Sequence, residues 1–254
     1  MRVLNRVNGL RLRAALALAC VETLAFAGPP FVTDDPEPAA FRTWEVNYAA
    51  NGTLAGISTQ AYVPGVDINY GASPGVQLHA QVQMAYASDS TGHRIGPGDI
   101  ELGVKYRLTP ETQEDEGWMV SVYPLLELPT GDAHRALGAG HASALLPLWV
   151  QRTLGAWTMY GGGGYWVNQG AGRRNAWAAG WVVLYQWNAG WQLGGEVFGK
   201  TSEQAGAPGS SGFNLGGTCK LSEDKSLLFS AGRGLSHVQD SNRASAYLGL
   251  QVIY

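Results

Sequence analysis

Three patterns in the 254-residue chain predict an all-β fold: a transmembrane antiparallel up-and-down β-barrel of about twelve strands. The first is alternation, clearest in Val76–Tyr86. Val76, Leu78, Ala80, Val82, Met84 and Tyr86 fall on one side, and Gln77, His79, Gln81, Gln83 and Ala85 on the other. Successive side chains of a strand point to opposite faces, so this stretch has one greasy face and one wet face. A soluble strand usually runs about 5–6 residues. One of about eleven, apolar outside and amide-rich inside, suits a tilted strand crossing a bilayer. The second pattern is an alternation of short turns with longer loops, and the third is an aromatic chain end. Both emerge from the elements in order.

Gly28–Arg42 is Pro-rich, acidic and aperiodic, and reads as a periplasmic lead-in or as a plug folded into a lumen. Thr43–Ala50 alternates Trp44, Val46 and Tyr48 against Glu45 and Asn47. Val66–Tyr70 sets Val66, Ile68 and Tyr70 against Asp67 and Asn69, and the turn 71–75 leads into Val76–Tyr86. In Asp99–Leu108, the charges Asp99, Glu101, Lys105 and Arg107 share one face. Four charges would be ruinous in a dry sandwich core but acceptable against a wet lumen or bulk water. Trp118–Leu128 continues the alternation, with Pro124 marking a bulge or break.

Ala144–Gln151 is apolar on both faces through Leu145 and Trp149. Trp157–Val167 carries the run Gly161–Gly164, which lacks the Lys-Ser/Thr of a phosphate loop and reads as a kink or tightly packed wall. Ala176–Gln186, Trp191–Lys200, Phe213–Leu221, Ser226–Gly232 and Ser245–Tyr254 complete the set. Connections near 71–75, 109–117, 152–156, 187–190 and 222–225 are mostly short. Those near 52–62, 88–98, 129–142, 168–175, 201–212 and 233–244 are longer and alternate with them. Brief periplasmic turns and long outer loops are the expected asymmetry of an outer-membrane barrel.

Composition agrees. The chain has 35 Gly, 9 Trp and 11 Tyr with only 15% charged residues, and a mean hydropathy of −0.09 excludes a membrane helix bundle. Residues 1–27 read as an export signal. Arg2, Arg6, Arg11 and Arg13 form its basic region, Ala14–Val21 its apolar core, and Ala25-Phe26-Ala27 the cleavage pattern. Cys20 invites a lipoprotein reading, but Ala17 stands where a lipobox wants Leu. Cleavage near Ala27 removes four Arg and one Glu and takes the formal charge from −3 to −6. An acidic exported protein is a poor nucleic-acid binder, so none is expected as partner. Cys219 is left without an intramolecular partner, which rules out a disulfide framework or zinc spacing.

Trp44, Trp118, Trp157, Tyr165, Trp177, Trp181, Tyr185, Trp191 and Tyr254 fall mostly at strand ends in the outward register, as the girdles at a lipid–water interface do. The last strand ends on Tyr254 with Val252, Leu250 and Leu248 on its side. This resembles the terminal signature that the outer-membrane barrel assembly machinery recognises, so that machinery and outer-membrane lipid are the expected partners.

Four blocks carry a family resemblance: Pro30–Pro36 (PFVTDDP), Asp67–Gly71 (DINYG), Gly96–Tyr106 (GPGDIELGVKY) and Glu127–Asp132 (ELPTGD). Through them the chain resembles the outer-membrane barrel family of transporters assigned to the MetA pathway of phenol degradation. The resemblance implies a barrel that takes up small organic molecules, and it supplies no catalytic residues.

The predicted inward residues are Glu45, Asn47, Asp67, Asn69, Gln77, His79, Gln81, Gln83, Asp99, Glu101, Lys105, Arg107, Glu127, Glu196 and Lys220. They line a narrow hydrated channel, or they interlock and close the barrel. Leu145, Trp149, Trp166, Val182 and Leu184 form an inward greasy patch for an aromatic or aliphatic solute, or pack on the N-terminal segment. HExxH does not occur, and no catalytic residue, cofactor or metal is expected. Asp132 and His134, close together in an outer loop, are the candidates for a hydrolytic alternative. A closed structural or adhesive barrel is the other, and a soluble two-sheet sandwich is the alternative fold. The expected role is passive passage of a small solute across the outer membrane of a Gram-negative cell.

Overall fold

The computed structural model describes residues 28–110 and 117–254. The expected signal segment, its cleavage site and Cys20 lie outside these residues, as does most of the 109–117 turn.

The strands are β1 (Trp44–Ala55), β2 (Ser58–Ser73), β3 (Val76–Asp89), β4 (Gly92–Pro97), β5 (Ile100–Arg107), β6 (Trp118–Val122) and β7 (Leu125–Leu128). They continue with β8 (Ser143–Leu154), β9 (Trp157–Asn168), β10 (Ala176–Asn188), β11 (Trp191–Lys200), β12 (Ser210–Lys220), β13 (Lys225–Ser236) and β14 (Ala244–Ile253). Both β4 and β5 pair with β3, and both β6 and β7 pair with β8, so each couple is one interrupted stave. The second interruption falls at Tyr123-Pro124, where proline has no N–H for the ladder. Twelve staves result, and β1 pairs with β14 to close the sheet. The closure extends to the chain end, where Trp44 and Tyr254 exchange backbone hydrogen bonds at 3.1 and 2.9 Å. Closure leaves an edge only at β4, which pairs with β3 alone; the other staves are paired on both sides, the condition for a sheet that meets lipid all round.

Register fixes which residues face in. The pairs Asn47↔Asp67, Asn69↔His79, Gln77↔Lys105 and Gln81↔Glu101 put the polar rows of β1, β2, β3 and β5 on one continuous face. The opposite parity carries the apolar belt, including Leu78, Val82, Leu102, Leu146, Val197, Leu215 and Leu248, all exposed. Trp44, Trp118, Trp157, Trp177, Trp181, Tyr185, Trp191 and Tyr254 are exposed on that outer side. They pair there as Trp44–Tyr70, Trp157–Tyr185 and Tyr165–Trp177.

Two expected long loops are strand instead. Residues 52–62 continue β1 and β2 into a tight turn at Gly56-Ile57, with Gly56 at a φ of +57°, and 88–98 holds the β3–β4 hairpin. Beyond the apolar belt both faces of a strand are wet, so the alternation that marks a strand vanishes while its ladder continues.

Candidate functional site: the lumen and the segment inside it

The inner surface has two unlike walls. From β1 to β5 it is a polar lattice. Asn47 Nδ2 and Asn69 Nδ2 donate to Asp67 at 3.3 and 3.0 Å, and Gln77 Nε2 donates to Asn69 Oδ1 at 2.6 Å. The His79 ring lies between two carboxylates, Nδ1 3.1 Å from Asp67 Oδ1 and Nε2 3.2 Å from Glu101 Oε1. Tyr123 meets that ring edge-on at 5.8 Å. These side chains are all buried. Buried polar groups that satisfy one another are rigid, because leaving any one unpaired is costly.

From β6 to β10 the wall is largely apolar, with Ser121, Glu127 and Ser143 set into it. Tyr123, Leu125, Leu145, Trp149, Trp166 and Ala176 form one buried cluster, and Tyr160, Val182 and Leu184 form another with Phe31. The glycine run supplies the room. Trp149 faces Gly162, where a Cβ would strike the backbone of Leu148 and crowd the indole ring.

Gly28–Arg42 runs between these walls. Phe31 is fully buried in the second cluster. The amides of Val32 and Thr33 donate to the two Glu196 carboxylate oxygens at 2.9 and 3.0 Å, and Asn214 holds the same carboxylate. Lys105 Nζ is 3.1 Å from Asp34 Oδ1 and 3.5 Å from Asp35 Oδ1, and it donates to Glu37 O at 3.3 Å. The Ser121 and Ser230 hydroxyls donate to the carbonyls of Pro36 and Pro30, and Ala39 N donates to Gln77 Oε1 at 2.7 Å. At Gly71 and Gly180 the segment lies directly on the wall, since a Cβ would collide with Ala40 O or Thr33 Oγ1 respectively. Burial pushes the Asp34 carboxyl up to about 8, against the pull of Lys105. Burial raises Glu37 as well, and the neighbouring Asp35 adds to it.

The remaining inward candidates do other things. Glu45, Gln81 and Gln83 are half-buried on the inward parity of β1 and β3. Asp99 accepts from Gly131 N at 2.8 Å and Ala139 N at 2.6 Å, tying down the 129–142 loop. Glu127 accepts from Ser143 Oγ at 2.8 Å. Arg107 reaches Thr109 and Pro110 at the rim, and Lys220, the last residue of β12, is exposed. In the outer loop, Asp132 Oδ1 accepts from the backbone N of His134 at 3.0 Å, capping a 3-10 turn over Ala133–Arg135. Its carboxylate therefore serves the turn. Ser230 and Asn214 escaped the sequence reading, since a small polar residue among glycines carries no signal of what it will meet.

Free space lies at both ends. A cavity of about 400 Å³ at the turn end is bounded by the segment and by Glu45, Asp67, Gln77 and Lys105. At the loop end a second, of about 520 Å³, lies under the 129–142 and 168–175 loops.

The sequence profile described as "Putative MetA-pathway of phenol degradation" matches residues 40–249. The chain belongs to that family. The Pro30–Pro36 block falls outside the matched span, while the other three resemblance blocks fall inside it. Among solved structures the chain is similar to an outer membrane channel from Pseudomonas putida F1, at 15% identity and a TM-score of 0.64, over 86% of this chain and 99% of that one. It is also similar to the KdgM porin (11%, TM-score 0.57) and the NanC porin (8%, TM-score 0.57), in each case over 82% of this chain and 98% of the other. At these identities the likeness speaks for the fold. No curated protein matches the chain in sequence.

Proposed function

We propose that the protein is an outer-membrane channel for passive passage of a small hydrophobic or aromatic solute. The solute moves along the apolar wall, past Trp166, Trp149 and Tyr123, between the loop-end and turn-end cavities. The observation that carries this reading is the split lumen. One half is locked by polar pairs, and the other carries the buried aromatic and aliphatic side chains of two clusters, which a solute displaces by like for like. Gly28–Arg42 acts as the constriction, since it occupies the space between the walls. Membership in a family named for phenol degradation and the likeness to channel and porin folds support the reading. Export through an N-terminal signal cleaved near Ala27, and insertion guided by Tyr254, belong to it. The lumen candidates Gln77, Lys105 and Glu196 hold the constriction in place, and His79 braces the wall behind them.

The test is a solute-flux panel on liposomes holding the full mature chain, with phenol, cresol, glucose and glycine as probes. Phenol and cresol crossing faster than in protein-free vesicles, with little gain for glucose, is the expected result. Equal gains for all four, or none for any, defeats it.

A further inference from the structure

The two cavities have opposite electrostatic character. The turn-end cavity is lined by Asp34, Asp35, Glu37, Glu45 and Asp67, with Lys105 as its cation. None of the residues lining the loop-end cavity is acidic. Its charged side chain is Arg173, held on the 168–175 loop by the Arg173 N to Gly170 O bond at 3.0 Å.

Arg173 also lines the small space beneath, beside Trp166, so its side chain stands at the threshold between the loop-end cavity and the apolar wall. Among the described residues it makes no ion pair. The other cation lining that inner space, Lys200, is neutralised by Glu203 at 2.6 Å and sits 5.4 Å from the Trp166 ring centroid. Glu127, the remaining carboxylate there, lines the inner space only and is held by Ser143. His141 shares the threshold, its Nδ1 2.9 Å from Ala139 O, which leaves Nε2 as the acceptor. Elsewhere the cavity is lined by Gln60 and Tyr62, with Tyr62 packed on the buried group Leu137, Ala85 and Ala87.

A guanidinium that makes no ion pair among the described residues, in a cavity shared with the Tyr62 ring, matches one chemistry: a planar anionic head on an apolar body. We propose that the loop-end cavity is a binding site for a small carboxylic acid with an apolar or aromatic body. Arg173 takes the carboxylate, and the Tyr62 ring takes the body. This rests on the passage reading above and gives that site a substrate class.

The experiment uses the full mature chain in detergent, with benzoate as probe and benzamide as its uncharged analogue, titrated by calorimetry. Phenol flux into liposomes is measured in parallel. Benzoate binds and benzamide binds at least tenfold more weakly. Arg173→Gln weakens benzoate about tenfold or more, the expected loss of one charged hydrogen-bonding partner, and leaves benzamide unchanged. Arg173→Lys keeps much of the affinity. Heat-modifiable migration of both variants establishes that the barrel has folded. Benzoate binding that is absent, matched by benzamide or indifferent to Arg173→Gln overturns the inference. If that happens while phenol flux persists, the site alone is lost. If benzoate binds as described and phenol flux is absent, the passage reading fails and the site stands.

Discussion

On the β1–β5 side the N-terminal segment meets Lys105, Gln77 and the lattice behind them, whereas on the β8–β10 side it meets Tyr160, Val182 and Leu184 through Phe31. The polar contacts are directional and fix where each atom of the segment sits. The apolar contact is non-directional and scales with area buried, so it holds without specifying. A solute competing for the apolar side displaces like with like, while one competing for the polar side must replace a set of paired charges. The difference explains how a lumen this crowded still offers one yielding wall.

The largest expected effect comes from breaking the polar anchor. Lys105→Met removes the cation facing Asp34 and Asp35, and above about pH 8, where Asp34 is ionised, stranding that buried carboxylate costs about 3–5 kcal/mol. The segment should leave the wall, seen as protease cleavage within residues 28–42 and a rise in bilayer conductance. Unchanged cleavage would mean that the segment is held elsewhere.

Phe31→Ala attacks the other wall. Truncating a buried Phe costs about 3–5 kcal/mol, with the low end expected because the lumen is partly wet and able to refill the space. Its signature is different: conductance rises while the Lys105 contacts persist, so cleavage moves toward Gly28 and spares Asp34–Pro36. Glu196→Gln is milder. The amides of Val32 and Thr33 keep one neutral acceptor, for a loss of roughly 1 kcal/mol and a modest rise in conductance.

The smallest effect is on pH. Asp34 and Glu37 have raised affinity for protons while the segment is docked, so docking binds protons and is favoured as pH falls. Stability of the docked state is greatest below their ordinary carboxylate range and is lost as pH rises through about 8. Conductance should therefore rise from pH 6 to pH 9, and the Asp34→Asn variant should flatten much of that slope. A fall over the same range would reverse the sign of the argument.

Much of the barrel was legible because alternation is a local signal. Gln77, His79 and Glu101 announce their face by their neighbours, and the structure puts all three on one wall. Leu145, Trp149 and Trp166, inward by parity alone, likewise gather in one cluster. What stayed hidden depends on distance along the chain. The amide of Thr33 meets Glu196 across 163 residues and Ser230 meets Pro30 across 200, and no periodicity records such meetings. Asp99 reads as a lumen charge by parity, yet its partners are the amides of the outer loop. The strand extensions at 52–62 and 88–98 were hidden for the opposite reason, since they carry a ladder but no contrast between faces.

Amide hydrogen exchange on the full mature chain in lipid tests most directly whether the segment is docked between both walls. Val32 and Thr33 N–H, both bound to Glu196, are predicted to exchange far more slowly than in an unstructured peptide, and to lose that protection together in Lys105→Met. Exchange of both amides at the unstructured rate in the unmodified chain would contradict that docking.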